Sequence, residues 1–400
     1  MISEKMTALV KNSSVIRAMF EEGKKMAEKY GKENVYDFSL GNPSVKPPEA
    51  VINAIVETAY DPDMNHVHGY MSNVGFEEVR EKIAANINKR FGTKFSLNNI
   101  VMTVGAAGGM NVIFKVLLNP GDEVITFSPF FGEYRNYVSN FDAKLVELAP
   151  DTETFQPNIA DLEEKITART KVLIVNSPNN PTGVVYSRDT LKKVAEVLER
   201  KQKELGTSIY IVSDEPYREL AYDGVEVPYI PNIYRNTIVG YSFSKSLSLP
   251  GDRIGYLVIP ARVDDYEDVF AAAGVATRIL GFVNAPSLAQ LFVSRCLDEK
   301  VDLEAYNRNR ELLYNSLKKY GYECIRPEGA FYLFVKTFEP DDKAFAAKAK
   351  EKRLLLVPGS TFGCAGYVRI AYCVDHEMIK RSLPAFEELA RDYGRLPAGC

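Results

Sequence analysis

Histidine and cysteine are both scarce in this sequence, which has three histidines and five cysteines among 400 residues. The cysteines are odd in number and have no C-x-x-C spacing, so we expect reduced thiols rather than a disulfide framework. No G-x-S-x-G nucleophile elbow is present, and a Ser-His-Asp hydrolase would have to use His66, His68 or His376. His66 and His68 have the spacing of a metal pair on a strand, but the residues before them are typical of a loop. Hydrolase classes are therefore disfavoured, and no metal is expected.

An excess of positive charge is also absent. The chain has 49 Lys and Arg against 53 Asp and Glu, a net charge of −4, which argues against a nucleic-acid-binding role. No apolar run approaches the ~18 residues of a membrane span. The first residues carry an acid early and lack the continuous apolar core of a signal peptide. These absences favour a cytoplasmic protein that binds neither nucleic acid nor a membrane.

What is present is the composition of an average globular protein, 46% hydrophobic and 26% charged, over a length that suggests two or three packing units. Between about residues 100 and 260, short β-branched runs alternate with helical patterns such as residues 187–205, for which Ser187 is a candidate N-cap. This alternation predicts a mostly parallel sheet with helices on both sides. After about residue 290, a charged helix, two extended segments and a last helix predict a smaller α+β domain.

Two loops after predicted strands carry small or amide residues, and ligands of such sheets bind at the carboxyl ends of the strands. Gly105, Ala106 and Ala107 stand between a strand and a helix, where backbone N–H groups can approach an anion. Asn180 precedes Pro181, which holds it in an extended conformation at another strand end. Each loop is open to a plainer interpretation, a packing turn for the first and an ordinary turn for the second.

Charged residues also follow two further strands and interrupt a third. Asp214 is either a cap for the next turn or the counter-charge of a ligand cation. Lys245 stands amid serines eight residues before Arg253, whose charge can lower the pKa of a nucleophilic amine, although most lysines are solvated surface charges. Arg369 interrupts an apolar run, where a guanidinium either binds a carboxylate bidentately or pairs at a sheet edge. Together, a phosphate cradle, an amide, an acid, an amine and two guanidinium groups are what pyridoxal phosphate requires.

Five motifs follow one another between about residues 38 and 372 in the order of a known family. They are NSPNNPTG (176–183), SDEPY (213–217), SFSK with PGDRIGY (242–256), PEGAFY (327–332) and VPGSTFG (357–363) with the later Arg369. The sequence resembles fold-type I pyridoxal-phosphate enzymes, specifically class I/II aminotransferases similar to aspartate aminotransferases. The resemblance implies an α/β fold with a large domain, residues 49–290, built on a mostly parallel seven-stranded sheet flanked by helices. A small α+β domain would comprise residues 1–48 and 291–400.

The resemblance also implies roles for the matching residues. Lys245 would form a Schiff base with the aldehyde of pyridoxal 5'-phosphate and later carry the proton between Cα and C4′. Asp214 would pair with the pyridinium nitrogen, and Arg369 would clamp the substrate α-carboxylate with the help of Gly41 and Asn180. The other residues that would hold the cofactor are Tyr217 and Asn180 at the phenolic oxygen, Phe131 on the ring, and Gly105, Ala106, Ala107, Ser242, Ser244 and Arg253 at the phosphate. Tyr70 would reach the phosphate of the neighbouring subunit, because such enzymes are homodimers with shared active sites.

The implied reaction is transamination between an L-amino acid and a 2-oxo acid such as 2-oxoglutarate, with aspartate as the first expected donor. Some acidic-substrate relatives carry a lysine where this chain has Ala107, so a distal carboxylate would need another cation. Arg278 lies near where other aspartate-specific relatives place an arginine from the partner subunit, and an ordinary surface arginine is the alternative. A carbon–sulfur lyase on the same fold would keep every cofactor residue. A non-catalytic effector-binding module is a third reading, although no basic helix-turn-helix pattern precedes Gly41.

Overall fold

The computed structural model of the chain describes residues 2–11 and 15–396. The helices are α1 (Glu4–Lys11), α2 (Val15–Tyr30), α3 (Glu49–Ala59), α4 (Met64–His68), α5 (Glu77–Phe91), α6 (Gly105–Leu117), α7 (Tyr134–Ser139), α8 (Ile159–Lys165), α9 (Arg188–Leu205), α10 (Phe243–Ser246), α11 (Tyr266–Ile279), α12 (Ser287–Val293), α13 (Leu303–Lys319), α14 (Asp342–Glu351) and α15 (His376–Asp392). The strands are β1 (Tyr36–Asp37), β2 (Ile100–Thr103), β3 (Glu123–Phe127), β4 (Lys144–Leu148), β5 (Thr170–Asn176), β6 (Tyr210–Asp214), β7 (Thr237–Ser242), β8 (Gly255–Val258), β9 (Tyr332–Lys336), β10 (Leu354–Leu355), β11 (Val357–Pro358) and β12 (Tyr367–Ala371).

A seven-stranded sheet in the order β2-β8-β7-β6-β5-β3-β4 forms the centre of the molecule. Strands β3 to β7 pair in parallel, and β8 runs antiparallel to both of its neighbours. Alternate residues of β5 enter two different apolar clusters, since Val172 and Ile174 pack with α6 and α11 while Leu173 and Val175 pack with α8 and α9. The strand is apolar throughout because helices cover both of its faces. The predicted fold class is therefore confirmed.

Two details of the sheet differ from the sequence pattern. The sequence pattern predicts no separate strand at β4, whose central residues are half-buried because it forms the edge of the sheet. The antiparallel direction of β8 was likewise not evident from its short apolar run. The N-cap of α9 is as predicted, because Ser187 Oγ accepts a hydrogen bond from Thr190 N at 3.0 Å.

The remaining strands join the two ends of the chain. β11, β12 and β9 form an antiparallel sheet in that order, and β1 pairs in parallel with β10, with Tyr36 opposite Leu354. A segment near the N-terminus is thus hydrogen-bonded to one more than 300 residues later. The division of the chain at residues 48 and 290 stays a prediction, and this pairing supports it.

The scarce cysteines and histidines have defined positions among the described residues. Cys296, Cys324, Cys364 and Cys373 are free thiols, and Cys400 lies outside the described residues. His66 and His68 lie on α4 rather than in the expected loop, and His66 Nε2 is 2.9 Å from Glu78 Oε1. Within residues 2–11 and 15–396, no group of three or more His, Cys, Asp or Glu side chains is arranged to hold a metal ion. None of the described helices combines the length and apolarity needed to cross a membrane.

Candidate active site

A cavity of about 1030 Å³ opens where β5, β6 and β7 end at Asn176, Asp214 and Ser242. Parallel strands bring their carboxyl ends to one edge of the sheet, so polar residues distant in sequence meet there. The predicted site residues on its wall are Gly41, Ala106, Ala107, Phe131, Asn180, Asp214, Tyr217, Ser242, Ser244, Lys245, Arg253 and Arg369. One cavity therefore contains most of the residues singled out from the sequence.

Lys245 lies on α10, the short helix that follows β7 directly. Ser242 caps this helix, since its Oγ accepts a hydrogen bond from Ser244 N at 3.2 Å. The Lys245 Nζ donates to Gly41 O at 2.6 Å. Burial lowers the pKa of Lys245 from 10.5 to about 8; the Cys373 thiol opposes this shift, and the positive charges of Arg253 and Arg369 add to it. An appreciable fraction of the amine is therefore neutral near pH 7, as a nucleophile requires.

Asp214 is the last residue of β6, and its carboxylate is buried. Oδ2 accepts a hydrogen bond from the Tyr134 hydroxyl at 2.6 Å, whereas Oδ1 is buried without a hydrogen-bond partner. Burial raises the pKa of Asp214 to about 6, the bond from Tyr134 opposes the rise, and Glu215 adds to it. Because burying a carboxylate without a counter-ion is unfavourable, Oδ1 marks a position that a ligand cation would stabilise.

Another part of the cavity wall is suited to an anion. Helix α6 begins there at Gly105, whose φ of +65° is a left-handed conformation that favours glycine. A Cβ at Gly105 would lie 2.6 Å from Arg253 Nη2, so the absence of a side chain lets the guanidinium approach the helix start. The Ser242 and Ser244 hydroxyl oxygens lie 2.8 Å apart beside it. A helix N-terminus next to a guanidinium and two hydroxyl groups has the donors that a phosphate binds.

Arg369, on β12, places a buried guanidinium on the cavity wall. Its Nη1 donates to Asn180 Oδ1 at 3.0 Å and its Nη2 donates to Ser39 O at 2.5 Å. The rings of Tyr332 and Phe362 lie 4.5 and 4.9 Å from the guanidinium carbon. Nε has no hydrogen-bond partner, and within the described part of the chain no carboxylate pairs with Arg369. A buried, planar cation without a counter-ion is suited to the carboxylate of a ligand.

Comparison with known proteins assigns this chain to a family. Residues 33–386 match the family model described as aminotransferase class I and II. The chain belongs to this family. An aspartate aminotransferase from Thermotoga maritima is 30% identical over 360 residues, which cover 89% of this chain and 91% of that protein. One from Pyrococcus horikoshii is 31% identical over 394 residues, 95% of each chain.

Solved structures of aminotransferases have the same fold. A crystal structure of an amino transferase from Eubacterium rectale has a TM-score of 0.95 at 49% identity, covering 98% of this chain and 99% of that one. The aspartate aminotransferase of Thermus thermophilus with maleate has a TM-score of 0.86 at 28% identity, covering 97% and 99%. The protein is an enzyme of the aminotransferase type that catalyses transamination, and these comparisons do not favour the lyase or the non-catalytic alternative.

Three predicted residues of this aminotransferase are not on the cavity wall. Gly105 lies just behind it, against Arg253. Tyr70 is 94% exposed, and Arg278 is exposed on the last turn of α11. Both exposed side chains were expected to act across a subunit boundary, so their roles stay predictions.

The aminotransferase site also contains residues that the sequence interpretation gave no role. Tyr134 supplies the hydrogen bond to Asp214, and its ring packs edge-on against that of Phe131 with 5.6 Å between centroids. Tyr332 lines the cavity and lies 2.9 Å, oxygen to oxygen, from the Tyr217 hydroxyl. Tyr332 ends the PEGAFY motif of the family pattern, and this motif is the one sequence signal that indicates Tyr332. Helix α2 adds Glu21 and Lys24 to the wall, which no motif indicated.

Proposed function

We propose that this aminotransferase binds pyridoxal phosphate in the cavity and transfers the amino group of aspartate to a 2-oxo acid such as 2-oxoglutarate. The observation that carries the proposal is the pair of buried, oppositely charged groups without counter-ions, Asp214 and Arg369, on the same wall as Lys245. Enzymes of this family use pyridoxal phosphate, whose ring nitrogen and phosphate have charges opposite to those of Asp214 and Arg253.

The polar groups of the cavity fit this cofactor. Bound pyridoxal phosphate supplies an aldehyde that reacts with amines and a protonated ring that withdraws electrons. Asp214 Oδ1 would accept the ring N–H and keep the ring protonated. The N-terminus of α6 and Arg253 would neutralise the phosphate. Because Asn180 Oδ1 accepts from Arg369, the Asn180 Nδ2 group remains as a donor, beside Tyr217, for the phenolic oxygen.

The remaining residues position the substrate and move its proton. Arg369 binds the α-carboxylate with two of its N–H groups, in place of its present bond to Ser39 O. Since Lys245 lines the same cavity, this interaction would hold the substrate Cα within reach of its amine. The Lys245 amine, on the same cavity wall, would remove the Cα proton as a base and return it as an acid.

We further propose that the enzyme is a homodimer in which Arg278 reads the distal carboxylate of aspartate in the neighbouring active site. Helices α3 and α11 expose the apolar side chains of Ile52, Val56, Val275 and Ile279, which a second copy would cover. Arg278 lies on α11 between Val275 and Ile279, so contact of a second copy with α11 would bring Arg278 to the partner. The Thermus relative, whose structure was solved with the dicarboxylate maleate, supports an acidic substrate. A cytoplasmic location stays a prediction.

A panel of amino donors with 2-oxoglutarate as acceptor tests the proposal. We expect aspartate to give the highest kcat/KM, and a visible absorption band that borohydride bleaches through a stable link to Lys245. Pyruvate and ammonia released from cysteine derivatives without an oxo acid would instead indicate the lyase. Multi-angle light scattering tests the dimer. Protein that is active without an absorbing cofactor, or a borohydride-stable link that persists in Lys245→Ala, would contradict the assignment.

A further inference from the structure

The hydroxyl groups of Tyr217 and Tyr332 meet at the cavity wall with 2.9 Å between their oxygens. Tyr217 follows β6 of the seven-stranded sheet, whereas Tyr332 begins β9 of the three-stranded sheet. Both side chains are buried. A Cβ at Gly41 would overlap the Tyr332 hydroxyl oxygen, so the glycine is what leaves room for this hydroxyl. The bond therefore joins two sheets at a point where the position of the hydroxyl is tightly restricted.

We propose that Tyr332 is a positioning residue that donates its hydroxyl hydrogen to Tyr217 and thereby directs the Tyr217 hydrogen toward the phenolic oxygen of the cofactor. The inference rests on the proposed binding of pyridoxal phosphate in this cavity. A phenol has a single hydrogen to donate. If Tyr217 donated it to Tyr332, none would remain for the cofactor. The direction of this one bond therefore decides whether Tyr217 can stabilise the negative charge of the phenolic oxygen.

The charges around the two rings favour donation by Tyr332. The Arg369 guanidinium carbon lies 4.5 Å from the centroid of the Tyr332 ring and makes its hydroxyl more acidic. Burial raises the pKa of Tyr332 to about 12, and Arg369 opposes that rise. Burial and the neighbouring Tyr332 hydroxyl raise the pKa of Tyr217 well above its usual value; Arg369 opposes this rise, and the negative charge of Asp214 adds to it. Because the Arg369 guanidinium lies against the Tyr332 ring, it polarises the Tyr332 hydroxyl, and we assign Tyr332 as the donor and Tyr217 as the acceptor.

The substitution Tyr332→Phe removes this donor and little else. Its matched control is Tyr322→Phe, because Tyr322 is also 2% exposed and its hydroxyl donates to Phe386 O over the same 2.9 Å. The measurement is a pH titration of the visible absorption of the holoenzyme. With a less well directed Tyr217, the phenolic oxygen anion is less stable, and the apparent pKa of the absorption change rises. We expect a rise of about 0.5 to 1 unit for Tyr332→Phe, the size of one net hydrogen bond, and no shift for Tyr322→Phe.

A double-mutant cycle with Tyr217→Phe distinguishes positioning from a general structural effect. If Tyr332 acts through Tyr217, Tyr332→Phe shifts the titration in the wild-type background and causes no further shift when Tyr217 is already Phe. Gly41→Ala displaces the same hydroxyl without removing it. It is the alternative variant if Tyr332→Phe does not fold, and we expect it to raise the apparent pKa of the absorption change as well. An unchanged titration in Tyr332→Phe, or an equal shift in both backgrounds, overturns the inference. A wild-type protein without cofactor absorption or transamination contradicts the proposed function itself, which is a distinguishable result.

Discussion

The lowered pKa of the buried Lys245 amine predicts how the rate of addition of the proposed cofactor depends on pH. Its pKa near 8 lies well below the 10.5 of an exposed lysine. At pH 7, a pKa of 8 leaves roughly 9% of the amine neutral, compared with roughly 0.03% for a pKa of 10.5. Because the neutral amine attacks the aldehyde, burial raises the concentration of the reactive form about 300-fold at that pH.

The assay mixes the apoenzyme with pyridoxal phosphate and follows the growth of the visible band between pH 6 and 10. We expect the rate to increase nearly tenfold per pH unit below pH 7.5 and to level off above about pH 8.5. Arg369→Met removes a positive charge that lowers the pKa of Lys245, so its rate profile should move to higher pH. The α-carboxylate site is not used in this step, which separates the electrostatic effect from substrate binding.

Two results would refute this reasoning. A midpoint near 10.5 would mean that the amine is hydrated in the apoenzyme, as it would be if the contact with Gly41 O did not persist in solution. A rate that does not change with pH would mean that a step other than attack by the amine limits addition. Lys245→Ala is the control for absorbance from cofactor bound without a covalent link.

Two further predictions concern residues at the margin of the site. Tyr134→Phe removes the bond that lowers the pKa of Asp214, so that pKa should rise by about one to two units. Since the protonated acid pairs poorly with a pyridinium, the cofactor Kd from fluorescence titration should then increase more at pH 6 than at pH 8. Arg278→Ala should lower kcat/KM for aspartate by about tenfold or more, through loss of a charge-assisted hydrogen bond, while alanine turnover is unchanged. Equal losses for both substrates would exclude the proposed role of Arg278.

Most of the fold followed from local pattern, and the exceptions have a common physical basis. Strands such as β5 were recognisable because burial on both faces makes them apolar throughout. Edge strand β4 has mixed exposure, and so its pattern is weak. The antiparallel direction of β8 is set by its pairing with β2 and β7, which its own four residues do not encode. Local sequence thus predicted elements better than it predicted their mutual arrangement.

The same distinction applies to the site. Lys245, Asp214 and Arg369 were identified because each stands in a family motif and carries chemistry that its neighbours do not explain. Apart from the PEGAFY motif, no sequence pattern indicates a site role for Tyr134 or Tyr332, because each contacts the site through a residue that is 80 or 115 positions away. The roles expected for Tyr70 and Arg278 depend on a second subunit, so one chain does not test them.

The unpaired charges link the stability of this aminotransferase to its function. Asp214 and Arg369 are buried without counter-ions, which lowers the stability of the ligand-free cavity. The surrounding structure tolerates this cost because neighbouring groups hold the charges by hydrogen bonds, Tyr134 for the acid and Asn180 with Ser39 O for the guanidinium. A pyridinium and an α-carboxylate would each supply a missing counter-ion, so their binding replaces an unfavourable interaction with a favourable one. The proposed selectivity of the cavity for a zwitterionic amino acid held against a cationic ring would therefore follow from charges that lack counter-ions in the ligand-free protein.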